Sequence, residues 1–320
     1  MAVSFDNKIG HDYLPNYEER NQYYHRKAEK VSYDLEYLNK ITSGGISNKT
    51  LNIALAGTGV GKSLFMCHVA SSVLLQGRNV LYITMEMAEE KIAERIDANL
   101  LNIPIQDITD LPKSMFESKV TSLAKKTQGS LIIKEYPTAS AHAGHFRALL
   151  NELALKKSFR PDIIFIDYLN ICASSRYKSG VSVNSYSYIK AIAEELRGLA
   201  VEANVPIVSA TQTTRSGYGS SDVDITDTSE SFGLPATADL MFALISTEEL
   251  EQLGQIMVKQ LKNRYNDPTV FKRFIVGIDR AKMRLYDCEQ KAQDDILDNG
   301  QEEEYNDEDK PKKSFEGFKF

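Results

Sequence analysis

Between residues 51 and 245 one pattern repeats along the chain. A short, dense apolar run is followed by a longer stretch in which apolar residues return every third or fourth position. The runs are Leu51–Ala56, Val80–Thr84, 131–134, Ile163–Asp167, 206–210 and Leu240–Ile245. Each is too short for a buried helix and reads as a strand covered on both faces. The longer stretches lie near 64–76, 88–100, Ala143–Lys157 and 186–203. In the last of these, Ile189, Ile192, Ala193, Leu196, Leu199 and Ala200 make one apolar stripe at helical spacing. Strands alternating with helices predict an α/β fold, a mostly parallel sheet flanked by helices. Near the end the rhythm changes. Residues 255–261, 271–278 and 283–286 read as strands joined by tight polar turns, with Asn266–Asp267–Pro268 marking the first turn. That predicts late antiparallel strands added to the parallel sheet. Ahead of the first run, the polar, Tyr-rich stretch 8–30 reads as a helix interrupted at Pro15, and Ser43–Gly44–Gly45 as a turn.

The first run ends in the segment AGTGVGKS, residues 56–63. Such a loop, after a strand and before a helix, brings backbone N–H groups together around anionic oxygens. The cradle comprises Gly57, Thr58, Gly59, Val60, Gly61, Lys62, Ser63 and Leu64. Lys62 supplies a point charge for the outer phosphates, and the Ser63 hydroxyl suits Mg²⁺. In the pattern G-x-x-x-x-G-K-[ST] the first glycine falls on Ala56, a small residue that still permits the turn.

Ligands in open α/β sheets lie beyond the carboxyl ends of the strands, so residues there carry the next expectations. Ile163–Asp167 is an apolar run ending in a carboxylate, which, paired with Lys62 and Ser63, reads as a Mg²⁺-holding acid. Glu86 follows the second run. It suits either a base for the water that attacks the γ-phosphate or a solvated helix-capping acid. Gln212 follows the fifth run and reads either as a γ-phosphate sensor or as an ordinary polar loop residue.

The chain has 320 residues, 42% hydrophobic and 26% charged, enough for a substantial core. No stretch has the apolar length of a membrane span, and no secretory signal opens the chain. The three cysteines are isolated and lack metal spacing, which fits a reducing cytoplasm. The five histidines show no ligand spacing with carboxylates or thiols, and His142 and His145 read as part of a polar loop. The net charge of −6 is uneven: residues 287–310 carry 11 acidic residues and 2 lysines, a local −9 that leaves +3 elsewhere. The body is mildly basic, which permits a nucleic-acid partner, and the acidic tail reads as disordered. Three units follow: 1–45, a linker-helix segment; 46–287, the nucleotide-binding body; and 288–320, the tail.

Taken in order, AGTGVGKS, ITMEM, IIFIDYLN, VPIVSATQ, DTSESFGLPATADL and QLKNRY resemble the motor domain of DnaB-family replicative helicases, closest to its T-even phage branch. The likeness covers about residues 6–286. It implies a RecA-like P-loop NTPase fold, ATP and Mg²⁺ as cofactors, and a homo-hexameric ring moving 5′→3′ on single-stranded DNA. It also implies a primase and a helicase loader as partners, and no membrane. By position it makes Lys62 and Ser63 the phosphate-binding pair, Glu86 the catalytic base, Asp167 the metal acid and Gln212 the γ-phosphate sensor. Lys262 and Arg264 match a basic pair that contacts ATP held by a neighbouring subunit, the Arg acting in trans as a finger.

The same likeness implies two DNA-facing segments. One follows Asp167 and contains Ser174, Ser175, Arg176, Tyr177 and Lys178. The other spans 213–233, with Arg215, Ser229, Glu230 and Ser231. Serine, lysine, arginine and backbone amides suit sequence-independent phosphate contacts. Bacterial members carry an Arg where this chain has Ser229 and a Gly where it has Phe232. In the family a collar domain precedes the linker-like helix, which docks on the adjacent subunit. The alternative reading is a RecA-like recombinase that forms ATP-dependent filaments on single-stranded DNA.

Overall fold

The computed structural model describes residues 12–25, 30–177, 184–213 and 233–289. Six strands run parallel: β1 (Leu51–Ala56), β2 (Val80–Thr84), β3 (Leu131–Glu135), β4 (Ile163–Asp167), β5 (Ile207–Gln212) and β6 (Leu240–Ile245). Three more, β7 (Gln255–Asn263), β8 (Arg273–Asp279) and β9 (Arg284–Asp287), continue the sheet antiparallel. The order across the sheet is β3-β2-β4-β5-β1-β6-β7-β8-β9. Every residue of β1, β2, β4 and β6 is buried. This is why these strands show as unbroken apolar runs and not as alternating ones.

The described residues also form nine α-helices: α1 (Tyr17–His25), α2 (Glu36–Ile41), α3 (Lys62–Leu75), α4 (Glu89–Leu101), α5 (Lys113–Ala124), α6 (Ala143–Lys157), α7 (Ser185–Ala203), α8 (Gly233–Thr237) and α9 (Glu248–Gln252). One core layer packs α3 and α4 on the sheet through Phe65, Val69, Val73, Ile92 and Ile96. The other packs α6 and α7 through Phe146, Leu149, Ile192, Leu196 and Leu199. Val31, Tyr33, Leu35, Leu38 and Ile41 are buried in the α3 layer, so part of the segment before β1 belongs to the same core. It is tied there by the Val31–Ile46 bridge. At Gly45 (φ +130°) a Cβ would stand 2.3 Å from the Val31 carbonyl oxygen, so the turn at 43–45 requires glycine.

Several elements differ from expectation. β5 starts at Ile207 and runs to Gln212, so Gln212 ends the strand and does not lie beyond it. α2, α5, α8 and α9 were not expected. None of the residues of α5 is buried, so it has no sharply apolar stripe to read. His142 and His145 do not lie in a loop but start α6. The His142 Nδ1 accepts from the Gly144 N–H, and the His145 Nδ1 accepts from the His142 N–H. The expected disordered tail lies, from residue 290 on, outside the described residues.

His68 on α3 ties this helix to β9. Its Nδ1 accepts the Leu285 N–H at 3.3 Å, with the Asn99 amide also 3.3 Å away. Burial, with Arg284 adding to it, pushes the imidazole from 6.5 down to about 4. The unfolded chain therefore binds this proton first. Stability from this group is complete above about pH 6.5 and is lost as pH falls towards 4. At pH 5 the loss is expected to be about 2 kcal/mol. Melting curves at pH 7 and pH 5 check this, and His68→Gln is expected to flatten the difference.

Candidate functional site

Loop 57–61 leaves β1 and enters α3. Gly59 (φ +81°) and Gly61 (φ +136°) take backbone conformations that side chains disfavour. Around Gly59 nothing lies within 4 Å of an added Cβ, so conformation and not space calls for glycine there. α3 begins at Lys62 with Gly61 as its cap and no side-chain cap bond, which leaves the first N–H groups aimed at the loop. Lys62 is buried, its Nζ 3.4 Å from the Gly57 carbonyl and 5.9 Å from the Tyr168 ring centre. Burial lowers the Lys62 ammonium pKa, while Glu86 and Asp167 pull it back up.

The parallel sheet places the other expected groups at the same end. Thr58, Gly59, Gly61, Lys62, Ser63, Leu64, Glu86 and Gln212 line one open cleft of about 280 Å³. Glu86, two residues past β2, is exposed at its edge. Asp167 ends β4 behind the cleft and is fully buried. Burial raises the pKa of its carboxyl; the Tyr82 hydrogen bond, the nearby Ser63 hydroxyl and the Arg95 charge lower it, while Glu86 adds to the rise. Asp167 Oδ2 accepts the Tyr82 phenol at 2.9 Å, whereas Oδ1 is buried with no partner. A buried carboxylate oxygen without a donor, beside a serine hydroxyl, fits a site for Mg²⁺ or its bound water. The Asp167–Tyr168 peptide is cis.

Three cleft residues were not foreseen. Arg95 on α4 faces the cleft. The signal was its position three residues after buried Ile92 and four before buried Asn99, a charge on the apolar stripe of the helix. Arg280, in the β8–β9 turn, donates to the Gly59 and Val60 carbonyls at 3.1 Å and braces the loop from the antiparallel side. Met283 completes that wall. Arg280 and Met283 had no signal, because only the antiparallel strands bring residues 280 and 283 to the loop.

Lys262 and Arg264 are not part of this cleft. Arg264 pairs with Asp239 at 2.9 Å and donates to the Ala236 carbonyl. Lys262 donates to the Pro235 and Ala236 carbonyls at the end of α8. Asp239 is buried, also binds Arg197 at 3.1 Å, and accepts the Leu51 N–H at 3.0 Å. The basic pair therefore sits at the start of β1 and the phosphate loop at its end. Six residues at roughly 3.3 Å each separate them by about 20 Å.

Among the expected DNA-facing residues, the structure describes Ser174, Ser175 and Tyr177 as well as Arg176. Arg176 pairs with Glu194 and lies 4.0 Å from Glu195, which also accepts from the Ser174 hydroxyl at 2.6 Å and the Ser175 N–H at 3.1 Å. Lys178, Arg215, Ser229, Glu230 and Ser231 lie outside the described residues. A separate groove of about 390 Å³ between α6 and α7, lined by Arg147, Leu150, Arg160, Leu199 and Val205, lies near the opposite ends of the strands. It has neither the glycine loop nor the strand-end carboxylates. No described helix is long and apolar enough to cross a membrane.

Comparison with known proteins gives the family and the fold. The chain is 48% identical over 295 residues to the DnaB-like replicative helicase of Enterobacteria phage T4, covering 91% of this chain and 62% of that protein. It is 26% identical over 268 residues to a probable plasmid replicative DNA helicase of Chlamydia psittaci, covering 77% of this chain and 55% of that one. The chain thus spans less than two thirds of the length of these relatives. Among solved structures, a DnaB-like replicative helicase studied for its interactions with primase superposes with a TM-score of 0.71 at 17% identity, over 88% of this chain and 69% of that one. A second solved structure, of an ATPase domain by itself, superposes with a TM-score of 0.70 at 18% identity, over 86% of this chain and 97% of that one. These two likenesses establish the RecA-like fold. The family profile of the DnaB-like helicase C terminal domain matches residues 31–273, from buried Val31 ahead of β1 to the start of β8, and the chain belongs to that family.

Proposed function

We propose that this chain is the motor of an ATP-driven replicative DNA helicase working as a homo-hexameric ring. One observation carries the reading: the groups suited to hold and attack a triphosphate meet at one end of β1, and the basic pair is anchored at the other. Within one copy, Arg264 serves no phosphate. Between two copies, a guanidinium held this way stabilises the transition state only when the neighbour is docked.

The roles follow from position. The loop N–H groups and Lys62 hold the phosphates of ATP, and the Ser63 hydroxyl with Asp167 would hold Mg²⁺. When bound, Mg²⁺ neutralises charge developing on the phosphates. Glu86 takes the proton of the attacking water, and its exposure leaves it reachable by that water. Gln212, at the end of β5, senses the γ-phosphate and passes that state to the segment 213–233, which contacts single-stranded DNA. Arg176 belongs to the second DNA-facing segment and exchanges its glutamate partners for backbone phosphates. Hydrolysis moves these segments 5′→3′ along the strand, in the cytoplasm. A primase and a loader complete the partners, and the linker-like stretch 8–30 docks on the adjacent subunit. The organisation into linker, motor (46–287) and acidic tail (288–320) belongs to the same reading.

A direct test combines two measurements. ATP turnover is expected to rise at least about tenfold with single-stranded DNA, and negative-stain images with an ATP analogue and DNA are expected to show closed six-membered rings. Open helical filaments would favour the recombinase, against which the helicase names of the relatives speak. Turnover by lone monomers, indifferent to DNA, would end the proposal.

A further inference from the structure

The geometry points to Tyr82 as a positioning residue that fixes the Asp167 carboxylate so that its Oδ1 is the oxygen presented to the divalent cation. This rests on the nucleotide reading of the cleft and deepens it. Tyr82 and Asp167 lie on neighbouring parallel strands. The register pairs Tyr82 with Phe165 and Thr84 with Asp167, so Tyr82 and Asp167 are diagonal neighbours on one sheet face. The Tyr82 ring is fully buried and stacks on Phe165 with centroids 5.8 Å apart. Its hydroxyl donates to Asp167 Oδ2 at 2.9 Å and receives only the weak Cys67 thiol at 3.9 Å. The phenolic proton thus has a single acceptor.

A carboxylate at the end of a strand turns freely about its last bond unless one oxygen is held. Here the bond to Oδ2 uses that oxygen and leaves Oδ1, buried and without partner, for the cation or its water. Tyr82 also does so from inside the core, where no solvent competes for the bond. Hydrogen bonds behind a metal-holding carboxylate orient it, and their loss typically lowers metal affinity about 10–100-fold. The signal was present in the chain: one phenol within five wholly buried residues, VLYIT, must find an acceptor when the strand is covered.

Tyr82→Phe removes the hydroxyl and keeps the ring that stacks on Phe165. The probe is a fluorescent ATP analogue, titrated with the full chain in EDTA and then at rising Mg²⁺. The variant is expected to match wild type in EDTA within about twofold, and to need about tenfold more Mg²⁺ for half-maximal tightening. Cys67→Ala disturbs the same buried spot but keeps the phenol–carboxylate bond, and is expected to retain the wild-type Mg²⁺ midpoint. A lowered melting temperature with an unmoved midpoint in Tyr82→Phe would make the hydroxyl merely structural and overturn the inference. An equal shift in Cys67→Ala would do the same. If the wild-type chain itself bound no nucleotide with Mg²⁺, the nucleotide reading would fail before Tyr82 was tested.

Discussion

Lys62→Ala is expected to lower ATP turnover at least about 100-fold while the protein remains folded. The loss follows from what the ammonium does. It is the one fixed positive charge of the loop itself, and removing a single pre-oriented group at a developing charge costs about two to three orders of magnitude. The retained fold follows from its surroundings. Lys62 is buried with only a 3.4 Å contact to the Gly57 carbonyl, and burial already disfavours its charge. Deleting a desolvated cation relieves a penalty and breaks no tight bond. The loop keeps its shape through Gly59, Gly61 and the Arg280 brace on the Gly59 and Val60 carbonyls. Circular dichroism and a melting curve report the fold, and a coupled ATPase assay the loss. Turnover within tenfold of wild type would remove the loop from the chemistry.

Arg264→Ala carries the second large effect, about a thousandfold loss of DNA-stimulated turnover. The substitution separates function from folding for a specific reason. Asp239 is buried, and an orphaned buried carboxylate would be costly. Here Arg197 contacts both Asp239 oxygens and remains after Arg264 is removed. Arg264→Lys is expected to lose nearly as much, because an ammonium cannot reproduce the forked contact to both the Asp239 carboxylate and the Ala236 carbonyl. The decisive measurement mixes variant and wild-type subunits. A finger acting on its neighbour's ATP makes each variant copy silence a wild-type site, so activity falls faster than the variant fraction rises. A linear fall would mean that Arg264 acts only within its own subunit.

The order of motifs and most of the sheet are readable in the sequence, and the reason is burial. β1, β2, β4 and β6 are covered on both faces, so each appears as an unbroken apolar run bounded by polar turns. α7 carries one wide stripe and was visible by its period. α5, with nothing buried, left no such trace. The same contrast holds in the cleft. Lys62 and Ser63 are adjacent in a loop whose glycines announce it. Asp167 ends a run whose apolar character points to it.

Local chemistry, written in adjacent residues, thus specified the phosphate loop, the strand ends and the alternation that makes a parallel sheet. Pairing at long range decided the rest. Sheet order placed Tyr82 on the Asp167 carboxylate, across 85 positions of chain. The antiparallel strands brought Arg280 from 221 positions away to brace Gly59. The β6–β7 pairing set Arg264 on Asp239, at the end of β1 opposite the loop. Such contacts depend on which strands lie side by side and in what register, and no window of neighbouring residues contains that information.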